Sequence, residues 1–200
     1  MNSVQEALDA WHAQYAGQPP VGFMLRFSHD AVWSRLDYGN DSAAGKSEPQ
    51  QLASHFDAVA GALFTGATVL VMTIEIDPAD GDTQLLRNMG GVAFTPPEAW
   101  VEELATYLPG QPRMEFLATT LSWRRGLLDS LWLAVAMDLV GRVAVFCPAT
   151  GDAFLPCGCG ADLFVWGTDR RIKLRDRFRQ WLPRGNPEPA VQERVGAGRR

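Results

Sequence analysis

Residues 68–76, TVLVMTIEI, constrain the fold of this chain more than any other segment. The run is rich in β-branched residues, and its first half is apolar at consecutive positions. Such a run is typical of a strand that lies inside a sheet. We therefore expect a β-sheet with this strand in its interior.

Hydrophobic periodicity and turn residues place further elements around this strand. The spacing of apolar residues predicts helices over 2–16, 52–63, 98–107, 126–141 and 168–182, with the fourth buried on nearly every face. Aromatic and β-branched runs predict hairpins of 22–27 with 32–38 and of 143–147 with 153–157, and single strands at 91–94, 113–123 and 163–166. Because strands and helices do not alternate strictly, the predicted class is α+β, with a mixed, mainly antiparallel sheet packed against about four helices.

The length of 200 residues suits a single domain. We assign residues 1–183 to it and expect 184–200 to be a disordered basic tail, since that stretch is poor in apolar residues and rich in Pro and Gly. No apolar run reaches the roughly 18–20 residues of a membrane span, and the first residues lack the features of a signal peptide. The sequence therefore predicts a cytoplasmic protein that does not bind membranes.

Charge is distributed unevenly along the chain. The formal net charge is −5, but residues 170–200 hold ten Arg and Lys against three acidic residues, so they carry +7 and residues 1–169 carry −12. An acidic body repels nucleic acid and anionic membranes and attracts cationic proteins. We expect a basic protein partner and no direct binding of nucleic acid.

The candidate partner-binding residues are two acidic clusters and the aromatic residues that the predicted core does not use. The clusters are Glu75, Asp77, Asp80 and Asp82, and Glu98, Glu102 and Glu103; the aromatic residues are Trp33, Tyr38, Trp100 and Tyr107. An exposed aromatic residue beside carboxylates is suited to anchor an interface. The alternatives are that the clusters are ordinary solvated surface and that the aromatic residues are partly buried at sheet edges.

The sequence contains no recognisable catalytic or metal-binding motif. G-x-S-x-G, Walker and G-x-G-x-x-G patterns are absent. Three cysteines, Cys147, Cys157 and Cys159, are too few for the usual four-ligand zinc site, and the C-x-C spacing is shorter than zinc sites commonly have. We therefore predict no metal, no cofactor and no disulfide framework, and the three histidines are expected on the surface.

Several short motifs are similar to those of a bacterial family of unknown function. They are Leu25-Arg26, Trp33-Ser34-Arg35, the segment 123–129 (WRRGLLD), the turn 155–162 (LPCGCGAD) and Trp181-Leu182. The spacing agrees over roughly residues 20–182, but the Ser-Leu-Pro and Lys-Arg-Tyr signature after the W-x-R segment is missing. Cys157 to Cys159 also replace the family's tyrosine-aspartate turn. Small acidic members of such families are found beside secreted bacterial toxins, so the resemblance implies an immunity role without catalytic residues.

Charge, missing motifs and resemblance together favour an immunity protein that occludes the active site of a toxin. One alternative is an enzyme of unrecognised type, in which Arg26, Arg35 and Asp162 are the first polar residues to test. The other is an adaptor or regulatory protein with a different partner. The sequence does not predict the oligomeric state.

Overall fold

The sheet is the centre of the fold. The computed structural model describes residues 3–38, 48–76, 84–107 and 113–183, and within them seven strands form one sheet in which every pairing is antiparallel. The strands are β1 (Trp33–Asp37), β2 (Thr68–Ile76), β3 (Val92–Ala93), β4 (Met114–Ser122), β5 (Val143–Phe146), β6 (Ala153–Cys157) and β7 (Gly160–Phe164). Their order is β1-β7-β6-β5-β2-β4-β3, so β1 and β3 are the two edges.

Seven α-helices accompany the sheet in the described part of the chain. They are α1 (Val4–Gln14), α2 (Gly22–Ser28), α3 (Pro49–Phe64), α4 (Gln84–Asn88), α5 (Glu98–Tyr107), α6 (Asp129–Ala136) and α7 (Thr168–Arg177), with 3-10 turns at Asp30–Val32 and Arg179–Trp181. The α+β class is confirmed. More helices are present than predicted, because α2 was predicted as a strand and no helix was predicted at α4.

The interior position predicted for β2 is also confirmed. It pairs with β4 along its whole length and with β5 on the other side. Val69 and Val71 face one hydrophobic core, while Leu70 and Met72 face a second core on the opposite side. Because alternate side chains of a strand point to opposite faces, a sheet covered on both sides requires this consecutive apolar run.

Two cores lie on the two faces of the sheet. The first contains buried side chains of α3, α4, α6 and α7, among them Phe56 and Trp132. The second contains those of α1, α2 and α5, among them Trp11 and Trp100. Helices on both faces of one sheet make a single three-layered α+β domain.

The prediction of a strand over 22–27 is wrong, because these residues form α2. Met24 and Leu25 are buried in the second core, and Gly22 lies against Asp162 on β7. A Cβ atom on Gly22 would lie 2.1 Å from Oδ2 of that aspartate, so only glycine allows the helix to approach the sheet. The strand β1 pairs with β7 instead of forming the predicted hairpin.

The two C-terminal helices are shorter than predicted. α6 ends at Ala136 rather than near Gly141, because Asp138 adopts a left-handed backbone with φ of 56°. α7 ends at Arg177 and a 3-10 turn follows. Its N-cap is Gly167, without a side-chain hydrogen bond, and its Ile172 is exposed.

The predicted tail, residues 184–200, lies outside the described residues. Among the described residues, no helix has the length and apolar character needed to cross a membrane.

Candidate functional site

Helix α5 carries an acidic outer face. Trp100 and Leu104 are buried against the sheet, and the Trp100 indole N–H donates a hydrogen bond to the backbone carbonyl of Gly17. Glu98 and Glu102 lie one helical turn apart on the exposed side, with Val101 between them. The helix therefore presents two neighbouring carboxylates and an apolar residue to solvent.

The edge strand β3 precedes this helix in the chain. Val92 and Ala93 are both exposed, and among the described residues they pair with β4 only. A sheet edge offers backbone N–H and C=O groups to which an extended segment of another chain can add. This edge is short, which limits such addition to a few residues.

Two shallow grooves border β3. One, of about 340 Å³, lies between Phe94, Val101 and Glu115. The other, of about 440 Å³, lies between β3 and α1 and includes Leu8 and His12. We call the exposed residues of this region the α5-β3 surface: Val92, Ala93, Glu98, Val101 and Glu102.

The predicted acidic residues divide into three groups. Glu98 and Glu102 are exposed and Glu103 is partly exposed on α5. Glu75 lies near the end of β2 opposite Glu115 of β4, two strands in from the β3 edge. Asp77, Asp80 and Asp82 lie outside the described residues. The structure thus supports the second acidic cluster as a surface.

The expectation that Tyr38 and Trp100 are surface aromatic residues is wrong. Trp100 is 0% exposed because it lies on the inner side of α5, where its ring meets Phe94 and Phe116. Tyr38 is 7% exposed, since its ring packs against those of His55, Phe56 and Trp181. Neither residue is available as an anchor.

The two remaining aromatic candidates are at different places. Trp33 is half-buried on β1, the sheet edge opposite β3, so it does not border the acidic face. Tyr107 at the end of α5 is 57% exposed and packs edge-on against Phe23. Beside the carboxylates the structure therefore provides Tyr107, which was named as a candidate, together with Val92 and Val101, which their sequence did not distinguish from buried apolar positions.

The three residues named for a possible enzyme meet around one carboxylate. Asp162 on β7 is 4% exposed and accepts a hydrogen bond of 2.8 Å from the Trp33 indole N–H. Arg26 of α2 lies 3.2 Å from its Oδ2, and Arg35 of β1 lies 3.5 Å from its Oδ1. Arg26 also stacks over the Trp33 ring. This network ties α2 and β1 to β7.

Arg35 connects the network to the cysteine turn. Its guanidinium bonds Asp37 at 2.9 Å and donates to the sulfurs of Cys157 at 3.4 Å and Cys159 at 3.2 Å. Burial alone would lower the pKa of Arg35, but the neighbouring Cys157 and Asp162 raise the pKa above its usual value. The arginine is therefore a fixed positive charge beside two thiols. Sequence spacing could not reveal this contact, because it requires β1 to pair with β7.

In comparisons with known proteins, no family model, no curated protein and no solved structure matches the chain. The class of protein is defined by its fold and its surface: it is a three-layered α+β domain with the acidic helix α5 beside one edge of the sheet. Function has to be inferred from that geometry.

Proposed function

We propose that this protein binds a basic protein partner through the α5-β3 surface and acts as a cytoplasmic immunity protein that neutralises a bacterial toxin by occluding its active site. The observation that carries the proposal is the pair of exposed carboxylates, Glu98 and Glu102, next to β3, the exposed edge strand of the described sheet. The resemblance to a family found beside toxins supports it from the sequence side.

The parts of this surface suit different steps of binding. Carboxylates that extend into solvent steer a cationic partner and raise its association rate. Exposed Val92 and Val101 then supply apolar area at the centre of the contact, while the β3 backbone can pair with an extended segment. Toxins that act on nucleic acids present basic clefts, and an acidic surface complements such a cleft.

Binding is favoured over catalysis because the conspicuous arginines are already paired. Arg26 and Arg35 both contact Asp162, and Arg35 also contacts Asp37. Since each guanidinium has a partner within the fold, the cluster has an evident role in joining α2, β1 and β7. The enzyme and adaptor alternatives make different predictions in the experiment that follows.

The test starts from the genes beside this one: a neighbour that encodes a basic domain and is toxic when expressed alone is co-expressed with this protein. The variant Glu98→Lys/Glu102→Lys reverses the acidic face of α5. The control Asp30→Lys/Asp176→Lys makes the same charge change at exposed positions outside the α5-β3 surface, one beside the opposite sheet edge and one on α7. Melting temperatures are measured for both variants, since exposed substitutions should leave folding intact.

We expect the α5 variant to lose protection and the control to keep it. Equal protection by both variants would remove the α5-β3 surface from the proposal. Protection by sub-stoichiometric protein, with a chemical change left on the toxin or its target, would overturn the binding function and favour the enzyme. A partner that binds without being toxic would favour the adaptor.

A further inference from the structure

The cysteine turn holds two thiols side by side. Cys157 and Gly160 are paired across the β6-β7 hairpin, so Gly158 and Cys159 form a two-residue loop. The two sulfur atoms are 3.6 Å apart. A disulfide bond is about 2.0 Å long, so the sulfurs need to approach by only about 1.6 Å.

Close packing against strand β1 fixes the turn. A Cβ atom on Gly160 would lie 2.2 Å from the Leu36 carbonyl oxygen, and because that atom belongs to the backbone no larger residue fits there. A Cβ atom on Gly158 would lie 1.9 Å from the carboxylate of Asp138, whose exposed side chain is able to move aside. The turn is therefore held against β1 through Gly160, which keeps the thiols adjacent.

The surroundings of the thiols disfavour metal binding and act on thiolate formation in both directions. Burial and the neighbouring Cys157 raise the pKa of Cys159 above its usual value, and Arg35, which donates to both sulfurs, opposes this because a guanidinium stabilises a thiolate while it repels a metal cation. Two sulfurs are fewer than the four ligands of a structural zinc site, and the described residues contain no group of three or more His, Cys, Asp or Glu placed to hold a metal. Cys159 is exposed, so a small reagent can reach it.

We propose that Cys157 and Cys159 are a redox-active pair that forms a reversible disulfide within the turn, with Arg35 stabilising the attacking thiolate. The oxidant is a low-molecular-weight disulfide. The Cys159 thiol loses its proton to solvent, and its thiolate attacks one sulfur of the oxidant, which forms a mixed disulfide and releases one thiolate.

The second step closes the turn. The thiolate of Cys157, formed by loss of its proton to solvent, attacks the sulfur of Cys159, which breaks the mixed disulfide and releases the second thiolate. The two cysteines lose two electrons and two protons. The oxidant gains them and leaves as two thiols.

The first experiment incubates the full chain with oxidised glutathione and follows intact mass and free thiols. We expect the protein to lose two hydrogen masses and two of its three thiols, and dithiothreitol to restore both. The control Cys147→Ser removes the buried third cysteine and should still form the disulfide. Two stable glutathione adducts without an internal disulfide, or no reaction at all, would overturn the proposal.

Single variants separate the roles of the thiols. Cys157→Ser should stop at one glutathione adduct on Cys159, because the resolving thiol is missing. Cys159→Ser should react more slowly, since Cys157 is only partly exposed. If both variants gave the same adduct at the same rate, the order of attack would be wrong.

Two further measurements test Arg35 and the metal alternative. Arg35→Lys keeps the positive charge but loses the hydrogen bonds from the guanidinium to the two sulfurs, so the rate of oxidation should fall several-fold. Circular dichroism should show that the variant remains folded. An unchanged rate would remove Arg35 from the proposal. Stoichiometric Zn²⁺ that protects both thiols until a chelator is added would overturn it in favour of a metal site.

Discussion

Asp162 is the residue on which the β1 edge of the sheet depends. Its buried carboxylate accepts a hydrogen bond from Trp33 and forms ion pairs with Arg26 and Arg35. These residues belong to α2 and β1, which precede Asp162 by more than a hundred residues. The three charged residues could be named from the sequence, but their contact could not be predicted, because α2 was predicted as a strand. A network of this kind depends on chain topology rather than on local spacing.

We predict that Asp162→Ala lowers the free energy of unfolding by about 3 kcal/mol. Removing one partner of a buried ion pair costs about 3–5 kcal/mol, and the partial exposure of Arg26 places the value at the low end. Urea denaturation measures the change, with exposed Asp169→Ala as the control. A loss below about 0.5 kcal/mol, the size of an ordinary surface effect, would show that the network contributes little.

His29 and His55 give the fold a dependence on pH. Each ring packs against aromatic side chains, and Nε2 of His29 and Nδ1 of His55 are buried without a hydrogen-bond partner among the described residues. Burial lowers the pKa of both histidines below 6.5. The sequence predicted surface histidines, because their ring neighbours come from distant segments.

As the pH falls through 6.5, the histidines of the unfolded chain take up protons before those of the native protein do. Protonation therefore stabilises the unfolded chain, and the free energy of unfolding falls with the pH. We predict that the free energy of unfolding decreases from about pH 7.5 to about pH 5.5. The decrease should be smaller in His29→Gln/His55→Gln. Identical slopes for wild type and variant, measured by urea denaturation at each pH, would contradict this assignment.

Helix α6 shows how far an element can be predicted. The apolar run after residue 126 indicates a buried helix, and Leu131, Trp132 and Val135 are indeed buried. The end of the helix could not be predicted, since nothing in the sequence marks Asp138 as left-handed. Residues beyond it that looked like core, such as Leu139, are exposed.

This difference provides a matched pair of substitutions. Leu131→Ala should lower the free energy of unfolding by about 2–5 kcal/mol, because Leu131 is 1% exposed. Leu139→Ala should cost less than about 0.5 kcal/mol, because Leu139 is 52% exposed. Equal denaturant midpoints for the two variants would mean that the core is placed wrongly.

Helix α2 shows where periodicity fails. The run over 22–27 is short, and a short apolar run does not distinguish a buried strand from a buried helix. The contact of Gly22 and Arg26, one turn apart, with Asp162 accounts for the helix in this position. Long elements such as β2 and α3 were predicted because their patterns persist over enough residues.

At the scale of the whole molecule, the three layers determine which predicted site residues reach solvent. α5 must bury one face on the sheet, and its tryptophan takes that side while Glu98 and Glu102 take the other. Charge alone was therefore sufficient to predict that Glu98 and Glu102 are exposed, but not that Glu75 is partly buried opposite Glu115. The aromatic anchors were not predictable, since apolar residues reach solvent only where packing leaves them uncovered.

The measurement that tests the proposed function most directly is the association rate constant of this protein with its basic partner at increasing salt. The account predicts a rate that falls as the Debye length shrinks from about 10 Å at 0.1 M to about 3 Å at 1 M. It also predicts that Glu98→Lys/Glu102→Lys slows association with little change in dissociation, whereas Asp30→Lys/Asp176→Lys has a smaller effect. An association rate that is independent of salt, and the same for both variants as for the wild type, would contradict the acidic α5-β3 surface as the binding site.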